Sequence, residues 1–433
     1  MAPTAQQPQP AAPNSPVCAP GVRSGGRFAR LPHLAGRSFI PLGLFARLPL
    51  AMLTVGALTL VTSGTGSYAL GGTAAGAVGI GSALGAPVFG ALADRRGQRP
   101  VLLAAAVLNS LAVVALIAMG GAVTTDASFP VALVVAAFLA GATCPQVGPL
   151  ARVRWMALTS RGQAASGLGK DAGRDLDTAL SYEGTADELT FVLGPALVGI
   201  LASLVAPWLP LALAVLMTIT LVPAFAVHRT HKAVPLKRTT GAKAARVPAV
   251  VALPVLAMVA MGTFFGSTQT ALSSFSASYA SSEIAGLLYA VMGLSSAAAA
   301  LSVAYWPRSF TPAARWMVSA AVMAGLALLL VVPESLGGMV GVLLVLGLPV
   351  GPVMVTVFAI GGLVAPAERL GTVMTALASG LVAGAALGSA VGGQLAQQSG
   401  YHAAFAVPVV AAGVLFGLGL ACAAAVRKRR ARV

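Results

Sequence analysis

Long apolar segments alternate with short polar breaks along the whole chain of 433 residues. Each segment is about 20 residues long, which matches the hydrocarbon thickness of a lipid bilayer. We interpret the segments as helices, because a single segment in lipid must satisfy its own backbone hydrogen bonds and the alternation typical of barrel strands is absent. The predicted membrane spans are residues 42–64, 69–93, 100–121, 129–151, 182–204, 207–228, 249–272, 283–306, 314–333, 337–361, 370–395 and 402–425.

The composition agrees with a membrane protein. Hydrophobic residues make up 57% of the chain and charged residues only 9%, whereas soluble domains carry about 25% charged residues. The mean hydropathy is +0.88. The formal net charge of +16 would suit a nucleic-acid-binding protein, but the basic residues form no continuous patch. We therefore expect the protein to contact a lipid bilayer and to bind no nucleic acid.

The basic residues indicate how the chain crosses the membrane. All 27 Lys and Arg residues fall in the N-terminal segment through Arg47, in every second connection after it, or in the C-terminal tail. By the positive-inside rule, these connections and both termini are predicted to be cytoplasmic. The sequence therefore predicts a multi-pass protein of the cell membrane.

The chain divides near its middle at the longest basic connection. Weak repetition supports a duplication, since residues 193–197 of the fifth span align with residues 383–387 of the eleventh. Two six-helix halves of like orientation are the parallel-repeat arrangement of one large class of transporters. The predicted organisation is a disordered tail, a six-helix half, a central cytoplasmic loop, a second six-helix half and a basic tail, at residues 1–40, 41–228, 229–248, 249–426 and 427–433.

The connection between the second and third spans carries the sharpest motif, GALADRRGQR, at residues 90–99. Its glycines permit a tight turn and close helix approach. Asp94 is an acid among arginines at the membrane interface, where it can bridge to a basic group or to a helix N-terminus. An ordinary basic turn is the alternative. The candidate residues of a conformational latch are Gly90, Asp94, Arg95, Gly97 and Arg99.

This motif resembles the signature loop of the major facilitator superfamily, G-x-L-x-D-R-x-G-R-R, with Gln98 as a departure at one basic position. The resemblance implies an all-α fold of twelve transmembrane helices in two parallel six-helix repeats. It also implies a latch between the halves that stabilises one access state. We therefore predict that Asp94 acts in the conformational cycle and not in substrate binding.

A second motif lies in the fifth span, where Gly194 and Pro195 precede Gly199. It resembles the G-P-x-x-G element of the drug and metabolite antiporters of this superfamily, and the acidic stretch before it resembles actinobacterial members. Proline bends a membrane helix, and glycines allow another helix to pack closely. The alternative is a packing kink with no bearing on the direction of transport.

Charged residues inside membrane spans are costly and point to function. Asp187 and Glu188 lie five or six positions into the predicted fifth span, and Arg47 lies at a similar depth in the first. The alternative is that the fifth helix starts later and leaves these acids at the interface. Glu183 is predicted at the edge of the span. We predict that Glu188, with Asp187 as the alternative, carries an exchangeable proton.

Neutral polar side chains inside the spans are further candidates, each equally suited to a helix-to-helix hydrogen bond: Asn109, Gln146 and Gln269. The scattered cysteines and histidines predict no metal site, and we expect no cofactor. Clustered catalytic groups are absent from the spans, which argues against a membrane-embedded enzyme, and the repeat argues against a channel.

The favoured function is therefore proton-coupled export of a small molecule, a drug or a metabolite, by a monomer. A nutrient importer or a facilitator on the same fold is the alternative.

Overall fold

A computed structural model describes residues 26–122, 131–166, 169–234, 247–279 and 284–430. This part of the chain is helical and contains no strand. The helices are α1 (Leu31–Ala35), α2 (Phe39–Phe45), α3 (Leu48–Thr65), α4 (Tyr68–Arg96), α5 (Gln98–Ala122), α6 (Val131–Ala142), α7 (Val147–Ser166), α8 (Gly169–Leu204), α9 (Leu209–Val227), α10 (Ala252–Tyr279), α11 (Ile284–Ser302), α12 (Pro312–Ala327), α13 (Leu336–Val364), α14 (Leu370–Ala404) and α15 (Ala406–Arg430).

Twelve stretches of the described residues are long and apolar enough to cross a membrane. Two of them combine a pair of helices, since α2 and α3 form the first span and α6 and α7 form the fourth. The prediction of twelve transmembrane helices is confirmed. The spans are Phe39–Thr65, Ala69–Arg96, Gln98–Gly120, Val131–Ser160, Gly173–Leu204, Leu209–Val227, Ala249–Tyr279, Ile284–Tyr305, Pro312–Val331, Leu336–Val364, Ala367–Ala404 and Ala406–Ala425.

Helix packing repeats between the two halves of the chain. In the first half α4 packs on α6, α5 on α9 and α3 on α8; in the second half α11 packs on α13, α12 on α15 and α10 on α14. Each pair of the first half thus has a counterpart in the second. The halves meet mainly along two helix pairs, α4 with α14 and α8 with α11, and also where α8 contacts α13 and α7 contacts α14. We call the surface between the halves the seam.

The fourth and fifth spans differ from the predicted 129–151 and 182–204. The fourth continues to Ser160, and the fifth begins at Gly173. The added part of each span contains charged residues. A prediction from apolar runs places the end of a span at such residues, so it made both spans too short. Arg152 and Arg154 were expected in a cytoplasmic connection, but they lie inside α7 and are 1% and 0% exposed. This is a correction to the expectation that every basic residue lies in a connection or a tail.

The N-terminal tail is shorter than the predicted disordered segment 1–40. Residues 27–40 form a 3-10 turn, α1 and the start of α2, and Leu31, Ala35 and Phe39 are buried in the core of the first half. Burial of these apolar side chains fixes the segment. Residues 1–25 lie outside the described part of the chain, as does most of the predicted central loop, at 235–246. At the other terminus, the backbone of α15 remains helical through Arg430.

Glycines bring α10 and α14 into backbone contact. A Cβ placed on Gly384 would lie 2.8 Å from a backbone atom of Val259, and one on Gly388 would meet the backbone of Thr263. By contrast, a Cβ on Gly393 of the same helix would meet nothing within 4 Å. Because small residues allow close helix approach in a bilayer, α10 and α14 pack as a tight pair.

Candidate functional site

The fourth span is broken near its middle. α6 ends at Ala142 and α7 begins at Val147, with Pro145 between them. Proline supplies no backbone N–H, so it interrupts the hydrogen-bond pattern of a helix. The side-chain amide of Gln146 donates to the Cys144 carbonyl oxygen at 2.9 Å. The break therefore sets the N-terminus of α7 inside the bundle.

The three neutral polar candidates lie in different surroundings. Gln146 stabilises this break, and Asn109 donates to the Ala140 carbonyl oxygen at 2.6 Å. Gln269 lies on an exposed face of α10. Asn109 therefore forms a hydrogen bond between helices, which is the alternative role given for it, whereas the bond of Gln146 is local to the break.

Four charged side chains form a buried cluster in the first half. Arg47 lies 2.6 Å from Glu183 and 2.7 Å from Asp187, and Arg152 lies 2.6 Å from Asp187. We call these four residues the ion-paired cluster. The side chains are almost fully buried, except that Asp187 is 16% exposed. Two cations and two anions balance, which offsets part of the cost of burying each charge.

Local geometry explains why these residues meet. Glu183 and Asp187 are four positions apart in α8, so they lie on one face of that helix. Arg47 lies at the junction of α2 and α3, where its guanidinium also donates to the Gly43 carbonyl oxygen at 2.8 Å. The indole of Trp155 donates to Glu183 at 2.8 Å. Every oxygen of the two carboxylates therefore has a donor.

The structure brings together the predicted pair Arg47 and Asp187, and it adds two members that were not predicted from the sequence. Glu183 was expected at the edge of a span, but it is 0% exposed and ion-paired. Arg152 was expected in a loop. Two features of the sequence could have indicated them. Glu183 and Asp187 are four residues apart, and Arg152 and Arg154 lie beside Trp155 in an otherwise apolar stretch.

The ion-paired cluster touches the second half. The guanidinium of Arg152 lies 3.9 Å from the ring centroid of Phe358 in α13, a cation–π arrangement. Opening the seam at this level would separate the guanidinium from the ring.

Glu188 faces a different helix from its neighbour Asp187. Its carboxylate accepts a hydrogen bond of 2.8 Å from Ser296 of α11, across the seam, and its side chain is 4% exposed. Within the described residues, no Arg, Lys or His forms an ion pair with it. The hydroxyl of Thr185 also crosses the seam and donates to the Ala297 carbonyl oxygen at 3.0 Å.

The predicted loop motif is largely helical. Residues 90–96 complete α4, and Gly97, with φ of +91°, is the turn before α5. Arg95 and Arg99 are exposed. A Cβ on Gly90 would lie 2.7 Å from the Gly371 carbonyl oxygen, so this glycine is required for the close approach of α4 and α14. The expectation of a loop is therefore corrected to a helix end.

Asp94 caps a helix of the other half. Its carboxylate accepts hydrogen bonds from the backbone N–H groups of Gly371 at 2.8 Å and Thr372 at 2.7 Å. The Thr372 hydroxyl adds a third at 2.6 Å. These donors belong to the first turn of α14, where unpaired N–H groups and the helix dipole favour an anion. Asp94 thus binds a helix N-terminus, one of the two partners expected for it.

A further ion pair closes the seam at the same end of the bundle. Asp177 of α8 lies 3.5 Å from Arg315 of α12. Asp175 pairs with Arg30, within the first half, at 3.4 Å. We call the end of the bundle that holds these pairs and Asp94 the Asp94 end.

The glycine–proline motif lies within continuous helix. α8 runs from Gly169 to Leu204 through Pro195. A Cβ on Gly194 would meet Ala51 of α3 at 2.6 Å, whereas one on Gly199 would meet nothing within 4 Å. Only the first glycine of the motif therefore lies at a close helix contact.

The described residues contain no group of three or more His, Cys, Asp or Glu side chains that could hold a metal ion. In the part of the chain that the structure describes, twelve membrane-spanning helices form two packed repeats, the arrangement of one large class of membrane transporters. Residues 40–382 match the family model described as Major Facilitator Superfamily. The chain therefore belongs to the major facilitator superfamily.

Solved transporter structures share the fold. The human organic anion transporter MFSD10 (TETRAN) is 19% identical, with a TM-score of 0.67 over 88% of this chain and 98% of that chain. A bacterial homologue of the iron transporter ferroportin, in an outward-facing state, is 15% identical, with a TM-score of 0.67 over 89% and 99%. FucP, in the outward conformation, is 14% identical, with a TM-score of 0.59 over 89% and 99%. No curated protein sequence matches the chain.

Proposed function

We propose that this protein exports a small cationic drug or metabolite across the cell membrane in exchange for protons, as a monomer with both termini cytoplasmic. The observation that carries the proposal is Glu188, a carboxyl group buried at the seam without a cationic partner in the described residues. The basic connections and tails supply the orientation by the positive-inside rule.

Glu188 suits proton exchange better than Asp187. Asp187 has two arginine partners, which stabilise its ionised form. Glu188 has a serine hydroxyl instead, and a buried carboxylate without a cation is unfavourable. A bound proton removes that penalty. Because Ser296 lies on the other half, separation of the halves changes the surroundings of Glu188 and can release the proton.

Competition at the Glu188 carboxylate would couple the flux of protons to the flux of the cationic substrate. A proton or a positively charged substrate can each neutralise Glu188, and both cannot do so at once. The carrier therefore changes state with one or the other bound, and a proton gradient drives the substrate in the opposite direction.

The hydrogen bonds of Asp94 and the Asp177–Arg315 ion pair support an alternating-access cycle. Both join the two halves at the Asp94 end. In the proposed orientation this end is cytoplasmic, so these contacts stabilise the state that is closed to the cytoplasm. Their loss would accompany opening on that side.

Transport into everted membrane vesicles tests this proposal. We would measure uptake of a panel of cationic dyes, antibiotics and metabolites, with and without an imposed proton gradient. We expect gradient-dependent uptake of at least one cation, and we expect Glu188→Gln to abolish it. Glu334→Gln is the matched control, because Glu334 is an exposed acid outside the spans.

Three results would contradict the proposal. Gradient-driven uptake that survives Glu188→Gln would assign proton coupling to another group. Uptake by intact cells instead of everted vesicles would indicate a nutrient importer, and exchange that is independent of protons would indicate a facilitator.

A further inference from the structure

The N-terminal segment of residues 27–40 lies across the seam at the Asp94 end. We propose that it is a strap: it is anchored on the first half, grips the second half through Arg27 and Phe28, and holds this end closed. The proposal rests on the alternating-access cycle described above. It goes beyond that cycle, because it assigns a regulatory contact to a segment outside the sequence motifs.

Buried apolar side chains anchor the strap to the first half. Leu31 and Phe39 are each 1% exposed. The Phe39 ring lies between two aromatic side chains of that half, with centroid distances of 5.2 Å to Trp155 and 5.6 Å to Phe225. This anchor contains only residues of the first half, so it can persist when the halves separate.

Polar contacts add to the anchor. The Tyr182 hydroxyl donates to the Ile40 carbonyl oxygen at 2.7 Å, and Ser38 forms a hydrogen bond of 3.2 Å with His228. Arg30 pairs with Asp175 of α8. Gly36, with φ of +97°, makes the turn between α1 and α2 that returns the chain to the bundle.

The grip on the second half consists of two side chains at the start of the strap. The Arg27 guanidinium donates a hydrogen bond to the Ala304 carbonyl oxygen. The same group lies 5.1 Å from the ring centroid of Tyr305, and the Phe28 ring lies 6.1 Å from that ring. Ala304 and Tyr305 end the eighth span.

These contacts must break when the Asp94 end opens. The anchor moves with the first half, whereas Ala304 and Tyr305 move with α11 of the second half. Contacts that form in only one state bias the equilibrium towards that state. A cation–π contact together with an aromatic contact corresponds to roughly a five- to seventyfold change in such an equilibrium. The strap therefore lowers the population that is open at this end.

Distance measurements between the halves test the strap. Nitroxide labels at Ser160 of α7 and at Ser309 after α11, both exposed, would be introduced into a chain whose three cysteines are replaced by alanine. We would record the distance distribution by pulsed electron paramagnetic resonance in lipid nanodiscs. We expect the combined substitutions Arg27→Ala and Phe28→Ala to raise the long-distance population about tenfold relative to the parent.

The reciprocal variant and a matched control make the test specific. Tyr305→Ala removes the same aromatic contacts from the other half and should produce the same shift, with little further change in the triple variant. Arg37→Ala is the control, because Arg37 is an exposed arginine of the strap without an ion pair among the described residues. If Arg27→Ala with Phe28→Ala impairs folding, Tyr305→Ala alone decides the question.

An unchanged distance distribution in the Tyr305→Ala variant overturns the proposal, as does an equal shift in Arg37→Ala. The measurement uses neither substrate nor a proton gradient. A shift in the strap variants combined with an absence of proton-driven transport would therefore count against the proposed function and leave the strap intact.

Discussion

Asp187 and Glu188 are adjacent in α8 but lie in different surroundings. Successive residues of a helix point about 100° apart, so Asp187 faces the arginines of its own half while Glu188 faces Ser296 across the seam. Asp187 therefore contributes mainly to the stability of the first half. Glu188 lies where a change of state alters its contacts.

Substitution of Asp187 should destabilise the fold. Asp187→Asn leaves Arg47 and Arg152 with one counter-ion fewer in a buried cluster, and breaking a buried ion pair costs about 3–5 kcal/mol. We expect a lower midpoint of thermal unfolding in detergent than for the parent, whereas Glu188→Gln should unfold near the parent value. Equal midpoints for Asp187→Asn and the parent would show that the pair contributes little.

Substitution of Asp94 should slow the conformational cycle without weakening equilibrium binding. Asp94→Asn removes the charge that the N-terminus of α14 favours and replaces one acceptor oxygen by a donor. We expect transport to slow by about fivefold or more, from a loss of about 1 kcal/mol or more, with an unchanged Kd for the transported substrate. Arg96→Gln, an exposed change in the same motif but outside the candidate latch residues, is the control. A large loss of binding in well-folded Asp94→Asn would contradict this.

At the scale of elements, the close packing of α10 and α14 depends on glycines, which have no side chain. Gly384→Ala would place a methyl group against the backbone of α10, and overpacking of this kind costs about 1–3 kcal/mol. We expect a clear drop in the thermal unfolding midpoint. Gly393→Ala changes the same helix where a Cβ meets nothing within 4 Å, and it should be neutral or slightly stabilising. Similar midpoints for the two variants would rule out the close backbone contact.

The sequence predicts the spans well where apolar runs are uninterrupted, and poorly where charges are buried. Nine of the twelve spans agree with the predicted positions to within several residues, and the eleventh continues to Ala404 instead of residue 395. The fourth and fifth are longer than predicted, because the charges in their extensions have partners: Arg152 pairs with Asp187, Asp175 with Arg30 and Asp177 with Arg315. A prediction from hydropathy treats every charged residue in lipid as unpaired. It therefore ends a span at a charged residue even when the fold supplies a partner for that charge.

The site follows from the sequence in part. The pairing of Arg47 with Asp187 could be proposed from their similar depths, and Glu188 from its place inside a span. The contact with Ser296 and the role of Arg152 could not, because they depend on how α8 is rotated against α7 and α11. A single sequence carries no direct record of such contacts between helices.

At the scale of the whole molecule, the distribution of basic residues predicts the orientation. Membrane-impermeant thiol labelling of single-cysteine variants at Ser128 and at Lys237, in intact cells and everted vesicles, should show an external and an internal position respectively. Both positions lie outside the described residues. Labelling of both from the same side, or in the reverse pattern, would overturn the topology and the cytoplasmic assignment of the Asp94 end.

The ion-paired cluster has an electrical consequence. Its two guanidinium groups and two carboxylates sum to zero charge, so movement of the cluster through the transmembrane field performs no net electrical work. An unpaired charge that crossed the whole field would gain or lose about 2.3 kcal/mol per 100 mV. A protonated Glu188 adds no charge, and an ionised one adds a single negative charge. Of the cluster and Glu188, only an ionised Glu188 without a bound cation therefore contributes a net charge that responds to the membrane voltage.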